Sequence, residues 1–128
     1  MTKGILISIL ACFTFFIACK CQKPKEGYKS ITLDTLKNDV IGKDVQLIDV
    51  RTNIEYKNGH IDDAINMNIV NSKKFKEQAN QLNKNEPVYL YCKSGTRSYR
   101  ASKLLQKLGF ETVFDYAGGW SEWNANQP

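Results

Sequence analysis

The residues best suited to chemistry form one short segment. A single cysteine lies between an apolar run and an amphipathic stretch, in the sequence Cys92-Lys93-Ser94-Gly95-Thr96-Arg97-Ser98. The apolar run, residues 87–91, is typical of a buried strand, so the thiol lies where a strand ends and a helix begins. Backbone N–H groups at a helix N-terminus, together with a guanidinium, favour an anion. Such surroundings lower a cysteine pKa to roughly 3.5–7.5 from about 8.5. The segment therefore predicts a cradle for a thiolate and for an anion bonded to it.

The four cysteines divide unevenly along the chain. Cys12, Cys19 and Cys21 precede residue 30, and only Cys92 lies in the predicted folded domain. If the domain is exported to an oxidising compartment, where cysteines usually pair, one cysteine left alone in the domain indicates a reactive thiol. Two alternatives stay open, an inert buried thiol that packs as a small hydrophobe and a disulfide with Cys21.

The N-terminus has the pattern of an export signal. Residues 4–18 follow Lys3 without any charge, and this stretch is shorter than the ~20 residues that a membrane-spanning helix needs. Phe16-Ile17-Ala18-Cys19 resembles a bacterial lipobox, in which the cysteine is lipidated and becomes the mature N-terminus; residues 9–12 are a weaker candidate. An uncleaved anchor helix and a plain cleaved secretory signal are the alternatives. All three readings export the domain.

These observations predict three parts of the chain. They are a lipoprotein-type signal peptide at 1–18, a tether at 19–29 and a folded domain at 30–128. The tether is polar, and its basic residues favour an anionic membrane surface. We therefore expect an exported, lipid-anchored protein of the bacterial cell envelope.

Composition indicates one globular domain. The chain has 128 residues, of which 42% are hydrophobic and 24% charged. The net charge of +5 is modest and scattered; its densest patch, residues 73–76, is typical of a solvated helix face. No base-reading motif is present, so we expect no nucleic-acid partner.

Strand and helix patterns alternate along the domain. Strands are predicted at 30–32, 45–50, 64–69, 88–91 and 112–116, the third with one exposed face or at an edge. Helical segments are predicted at 33–37, at 53–57, at 73–82 after a Ser72 cap, and at 118–123. A further helix is predicted from the segment 92–98 to Leu108, with Gly109 ending it. This α/β alternation predicts a parallel sheet covered on both faces, with ligands beyond the carboxyl ends of its strands.

Three segments together resemble the rhodanese family of sulfurtransferases. They are residues 47–51 with the Glu55-Tyr56 and Gly59-His60-Ile61 sequences after them, the segment 92–98, and Gly118-Gly119-Trp120 with Trp123. The resemblance implies a three-layer domain with a central five-stranded parallel sheet, helices on both faces, and an active-site loop that starts with the nucleophilic cysteine.

The resemblance also implies a mechanism. Thiolate Cys92 attacks the outer sulfur of a small anionic donor such as thiosulfate, sulfite leaves, and cyanide or a thiol collects the sulfur from the persulfide. A protein sulfur acceptor stays open. No metal or organic cofactor is needed. We expect the following residues to bind the negative charge: Lys93, Ser94, Gly95, Thr96, Arg97 and Ser98.

Individual roles are expected within this site. Gly95 lets the backbone turn tightly toward the sulfur, Lys93 adds positive potential, and Arg97 braces the loop or the leaving anion. Asp49 and Arg51 are interpreted as supports of loops and turns.

Other polar and aromatic residues have two interpretations each. His60, the only histidine, belongs to a structural turn in this motif, whereas as a base it would indicate a Cys/His protease or acyltransferase. Glu55 caps or pairs locally. Trp120 and Trp123 are interpreted as core residues, with a substrate platform as the alternative.

Loop length distinguishes a sulfurtransferase from the phosphatases that have a similar cysteine-containing loop. Four residues lie between Cys92 and Arg97, whereas tyrosine phosphatases and the phosphatase relatives of rhodanese have one more. The shorter loop favours a sulfur-sized adduct over phosphatase or arsenate reductase activity. A persulfide or redox relay and a noncatalytic binding module on the same fold remain alternatives.

Overall fold

The computed structural model describes residues 26–128. The predicted signal peptide, the lipidation site at Cys19 and a disulfide with Cys21 therefore lie outside the described residues. Within the described range, no helix has the length and apolar character needed to cross a bilayer, and Cys92 is a free, buried thiol.

Five parallel strands form one sheet in the order β1-β5-β4-β2-β3. The strands are β1 (Gly27–Ile31), β2 (Gln46–Asp49), β3 (Ile65–Asn66), β4 (Val88–Tyr91) and β5 (Thr112–Tyr116). The helices are α1 (Leu33–Asp39), α2 (Asn53–Lys57), α3 (Ser72–Ala79), α4 (Thr96–Lys107) and α5 (Gly119–Ala125). The predicted α/β class with a five-stranded parallel sheet is confirmed.

Two hydrophobic clusters cover the two faces of the sheet. Val88 and Leu90 of β4, followed by Cys92, face the cluster that includes α3 and α4. Tyr89 and Tyr91 face the opposite cluster, which includes α1 and the tryptophans of α5. This alternation with period two is what a strand buried on both faces requires.

The first strand begins earlier than predicted. Residues 27–29, predicted as part of the tether, pair with β5 in register from Gly27–Thr112 to Ile31–Tyr116. The polar composition of this segment hid the strand, because β1 is an edge strand whose side chains at 29 and 30 are exposed. The tether prediction is therefore corrected at its C-terminal end.

β2, α1 and α5 differ from their predicted bounds by one or two residues, and β3 and α3 differ more. β3 contains only two residues and lies at the sheet edge. The chain after β3 stays attached to the end of β2 through hydrogen bonds from Met67 N–H to the Asp49 carbonyl and from Ile69 N–H to the Val50 carbonyl. α3 is capped by Asn71 rather than Ser72, because the Asn71 side chain accepts a hydrogen bond from the Lys74 N–H. The helix ends at Ala79 rather than at residue 82.

Candidate active site

The loop after β4 turns sharply into α4 at Gly95. This residue has a φ of 101°, and a Cβ there would lie 2.9 Å from the Ala117 carbonyl oxygen. Both the left-handed conformation and the close approach to the loop after β5 require glycine. The turn places the first amides of α4 next to the cysteine at the end of β4.

The start of α5 holds the outer side of this loop. Trp120 N–H donates to the Cys92 carbonyl at 2.8 Å, and Ser121 N–H donates to the Lys93 carbonyl at 3.1 Å. The C=O and N–H of a trans peptide point in opposite directions. Fixing these two carbonyls toward α5 therefore directs the following N–H groups away from α5. Gly119, with a φ of 61°, permits this close approach of α5 to the loop, because the Cβ of any other residue would lie 2.5 Å from the Cys92 oxygen.

The Cys92 sulfur is buried and surrounded by hydrogen-bonding groups. Its residue is 1% exposed. Gly95 N–H donates to Sγ at 3.1 Å, and the thiol donates to the Ser98 hydroxyl oxygen at 3.5 Å. Burial raises the pKa of this thiol, but hydrogen bonds from the Ser98 hydroxyl and from the N–H groups of Ser98, Ser94 and Gly95 bring the pKa below its ordinary value. The site therefore favours negative charge on sulfur.

Arg97 forms a two-point ion pair with Glu55 of α2. The distances are 2.8 Å from Nη1 to Oε2 and 2.9 Å from Nη2 to Oε1. Glu55 also completes a capping box, accepting hydrogen bonds from Thr52 N–H at 3.0 Å and Thr52 Oγ1 at 2.8 Å. The Arg97 hydrogen bonds outweigh desolvation and lower the pKa of Glu55 to about 2. Arg97 thus ties the first turn of α4 to α2.

Asp49 and Arg51 form a buried network below the loop. Arg51 Nη2 donates to Asp49 Oδ2 at 2.7 Å and to the Gly59 carbonyl at 2.7 Å. The Tyr91 hydroxyl donates to the same Asp49 oxygen at 2.7 Å and accepts from Ile61 N–H at 2.8 Å. This network joins the ends of β2 and β4 to the turn at 59–61.

His60 lies on the surface of that turn. Its ring stacks on Tyr56, with centroids 4.0 Å apart, and its Nδ1 lies 3.2 Å from the Tyr56 carbonyl oxygen. Among the described residues, no hydrogen bond joins His60 to Cys92. Trp120 is half-buried against the second cluster, and the Arg51 guanidinium lies 4.8 Å from its ring centroid.

The outer residues of the loop differ from the inner ones. The side chains of Lys93, Ser94 and Thr96 are exposed, whereas Ser98 is fully buried. No group of three or more His, Cys, Asp and Glu side chains in residues 26–128 could hold a metal ion. The arrangement can hold a sulfur anion with amides and a hydroxyl, and it leaves two polar side chains and one cation at the surface.

Comparison with known proteins decides the family. The sequence model of the rhodanese-like domain matches residues 32–126. The chain belongs to the rhodanese-like family. Thiosulfate sulfurtransferase GlpE of Shewanella oneidensis is 33% identical over 98 residues, which cover 77% of this chain and 94% of that protein. The uncharacterized protein YqhL of Bacillus subtilis is 30% identical over 123 residues, 96% of this chain and 94% of that protein.

A solved structure shows the same rhodanese-like fold. The crystal structure of a rhodanese-like domain protein from Staphylococcus aureus is 35% identical, with a TM-score of 0.65 over 74% of this chain and 90% of that chain. The family recognised from the three sequence motifs is therefore confirmed.

The rhodanese-like site contains residues that the sequence did not single out. Tyr91 links Asp49 to the turn at Ile61, and Asp115 lies buried in β5. The signal for Asp115 was present, since it is a charged residue inside the apolar run at 112–116. The contact between Glu55 and Arg97 left no local signal, because the two residues lie 42 positions apart.

Proposed function

We propose that this domain transfers sulfane sulfur from an anionic donor such as thiosulfate to cyanide or a thiol through a persulfide on Cys92. The single observation that carries the proposal is the hydrogen-bonded, buried Cys92 sulfur with its lowered pKa. A thiolate is the nucleophilic form of cysteine, and it is available near neutral pH only where its surroundings stabilise it.

At each step the sulfur bonded to the protein is the negatively charged atom that the loop holds. The thiolate forms a bond to the outer sulfur of thiosulfate, the bond between the two donor sulfurs breaks, and sulfite leaves with the electron pair. The product is a Cys92 persulfide anion. Cyanide then bonds to the outer sulfur and leaves as thiocyanate, which restores the thiolate. Every species is an anion, so fixed amides that need no reorientation stabilise all of them.

The loop geometry supports a negatively charged sulfur adduct. α5 fixes the carbonyls of Cys92 and Lys93, and Gly95 N–H lies 3.1 Å from Sγ. Arg97 is paired with Glu55, so its contribution is to hold α4 in place and to supply positive potential. The hydrogen bonds to Glu55 are the main cause that raises the pKa of Arg97, and the negative charge of Cys92 raises it further. Lys93 is left as the exposed cation of the loop for an incoming donor.

The test is turnover of thiosulfate and cyanide, followed as thiocyanate. We expect turnover for the protein, none for Cys92→Ser, and full turnover for the matched control Cys21→Ser. A Cys92→Ser variant that keeps full turnover would refute the proposal. Persulfide formation without thiocyanate would instead support the alternative of a relay that hands sulfur to a protein acceptor.

We also propose that the domain works outside the cytoplasm, anchored at a bacterial membrane by a lipid on Cys19. The support is the uncharged stretch at 4–18 and the lipobox-like sequence at 16–19. In this arrangement the polar residues after Cys19 separate the membrane surface from the first strand at Gly27.

A further inference from the structure

A buried carboxyl group lies behind the active-site loop, in a position that the sulfur-transfer steps do not use. Asp115 of β5 is 1% exposed. Its Oδ2 accepts a hydrogen bond from the Tyr28 hydroxyl at 3.2 Å. Its Oδ1 has no hydrogen-bond partner, and among residues 26–128 it is the one buried side-chain oxygen or nitrogen in that condition. An unpaired buried carboxylate oxygen is costly and calls for an explanation.

Among residues 26–128, no ion pair joins a cation to this carboxyl group: Arg51 pairs with Asp49, and Arg97 pairs with Glu55. Lys103 of α4 lies outside, with its Nζ 4.5 Å from the centroid of the Tyr28 ring. A buried carboxyl without a cation becomes neutral rather than remaining charged. Burial raises the pKa of Asp115 above its ordinary value, and the Ser98 and Tyr28 hydrogen bonds offset part of that rise.

Ser98 connects Asp115 to the reactive sulfur. Its Oγ lies 3.5 Å from Cys92 Sγ and donates to the Gly95 carbonyl at 3.1 Å. The Ser98 side chain is fully buried on α4, the helix that packs against β5, and a hydrogen bond from it contributes to the pKa of Asp115. The hydroxyl has one proton and two lone pairs, so the proton goes to only one of its neighbours at a time.

The Ser98 proton points to the Gly95 carbonyl in the structure, and the protonation state of Asp115 decides whether it can turn to the thiolate. An ionised Asp115 would attract the Ser98 proton and place a second negative charge near the sulfur, and both effects disfavour the thiolate. A protonated Asp115 donates to Ser98 Oγ instead, which satisfies Oδ1 and leaves the Ser98 proton for the thiolate.

We propose that Asp115 is a positioning residue that carries a proton at neutral pH and, by hydrogen bonding to Ser98, turns the Ser98 hydroxyl toward the Cys92 thiolate. This inference rests on the proposed function, since it concerns the nucleophile of that reaction. The other titratable groups nearby are Tyr28 of β1, and Tyr99 and Lys103 of α4. Burial is the largest cause that raises the pKa of Tyr28, so its hydroxyl stays a donor at neutral pH.

The experiment titrates the thiolate of the intact protein by its alkylation rate with iodoacetamide as a function of pH. Asp115→Asn is the decisive variant, because its amide N–H₂ donates to Ser98 as a protonated carboxyl does, and its oxygen still accepts from Tyr28. We expect the pKa of Cys92 to stay unchanged in Asp115→Asn. In Asp115→Ala, which leaves Ser98 without this donor, we expect it to rise by about 0.5–1 unit, the equivalent of one net hydrogen bond.

The opposite sign would overturn the inference. If Asp115 were ionised, Asp115→Asn would remove a nearby negative charge and lower the pKa of Cys92. In a Ser98→Ala background, Asp115→Ala should no longer move the pKa of Cys92, and a shift that persists there would also overturn it. Infrared spectra should show the C=O stretch of one protonated carboxyl near pH 7 in the wild-type protein and not in Asp115→Asn; its absence from both would contradict the inference.

These measurements need no sulfur donor. Failure of the proposed sulfur transfer would appear as a missing persulfide with the alkylation results intact. Failure of the Asp115 inference would appear as altered pKa behaviour with persulfide formation intact.

Discussion

Replacing Gly119 with alanine perturbs the contact that orients the active-site loop. The residue has a φ of 61°, and a Cβ there would lie 2.5 Å from the Cys92 oxygen and 2.6 Å from the Lys93 oxygen. Both are backbone atoms, so the clash cannot be relieved by a side-chain rotation. Either α5 or the loop must move.

The expected cost follows from two contributions. A non-glycine residue in the left-handed region costs about 1–2 kcal/mol. The movement weakens the hydrogen bonds from Trp120 N–H and Ser121 N–H to those carbonyls, each worth about 0.5–1.5 kcal/mol. Together Gly119→Ala should lower the free energy of unfolding by about 2–5 kcal/mol. Misdirected amides should also lower turnover by about 10²-fold, the usual effect of losing one donor to a reacting anion.

Gly42→Ala is the matched control. Gly42 has a φ of 70°, but a Cβ there would meet no atom within 4 Å. It should therefore show the backbone strain of about 1–2 kcal/mol alone, with unchanged turnover. Urea unfolding and the thiocyanate assay on both variants measure the difference. If Gly119→Ala matched Gly42→Ala in stability and kept full turnover, the role assigned to the α5 contact would be refuted.

Three further predictions address the supports of the site and the N-terminus. Glu55→Gln should destabilise the protein by about 1–2 kcal/mol, a value reduced for the partial exposure of its ion pair. Because the pKa of Glu55 is lowered to about 2, this contribution is present above about pH 4.5 and is lost as the pH falls toward 2; a double-mutant cycle with Arg97→Ala in urea should show coupling, and additive effects would contradict the pairing. Asp49→Ala should cost about 3–5 kcal/mol, because it leaves the Arg51 charge buried, whereas Tyr91→Phe, which keeps the ion pair, should cost about 1–3 kcal/mol. Thermal and urea unfolding would measure both, and equal losses would argue against the ion pair as the larger contribution. Finally, the mass of the protein isolated from membranes should begin at an acylated Cys19, and a chain retaining residues 1–18 would contradict cleavage there.

Elements bounded by clear turn or capping residues are predictable from the sequence. The bounds of α2, β4 and β5 agree with the structure, since each is a short uniform run flanked by turn residues or by an N-cap. The N-cap of α3 was not predictable, because Asn71 and Ser72 are adjacent and both are good capping residues. β1 escaped because an edge strand with exposed side chains lacks an apolar pattern.

The site was predictable where its residues are contiguous. The segment 92–98 contains both the nucleophile and its amide donors, so local spacing is enough to recognise it. Contacts across the fold are different. Tyr28 and Asp115 lie 87 positions apart and meet because β1 pairs with β5. Local spacing cannot supply that strand order, and the partner of Arg97 was hidden for the same reason.

The most direct test of the central claim is the intact mass of the protein after reaction with thiosulfate and removal of excess donor. We predict a gain of one sulfur atom that peptide mapping locates at Cys92 and that cyanide removes. The rate of this gain should rise with pH as Cys92 ionises, with a midpoint below the ordinary cysteine pKa. A folded protein that gains no sulfur under these conditions, or gains it equally in Cys92→Ser, would contradict the account.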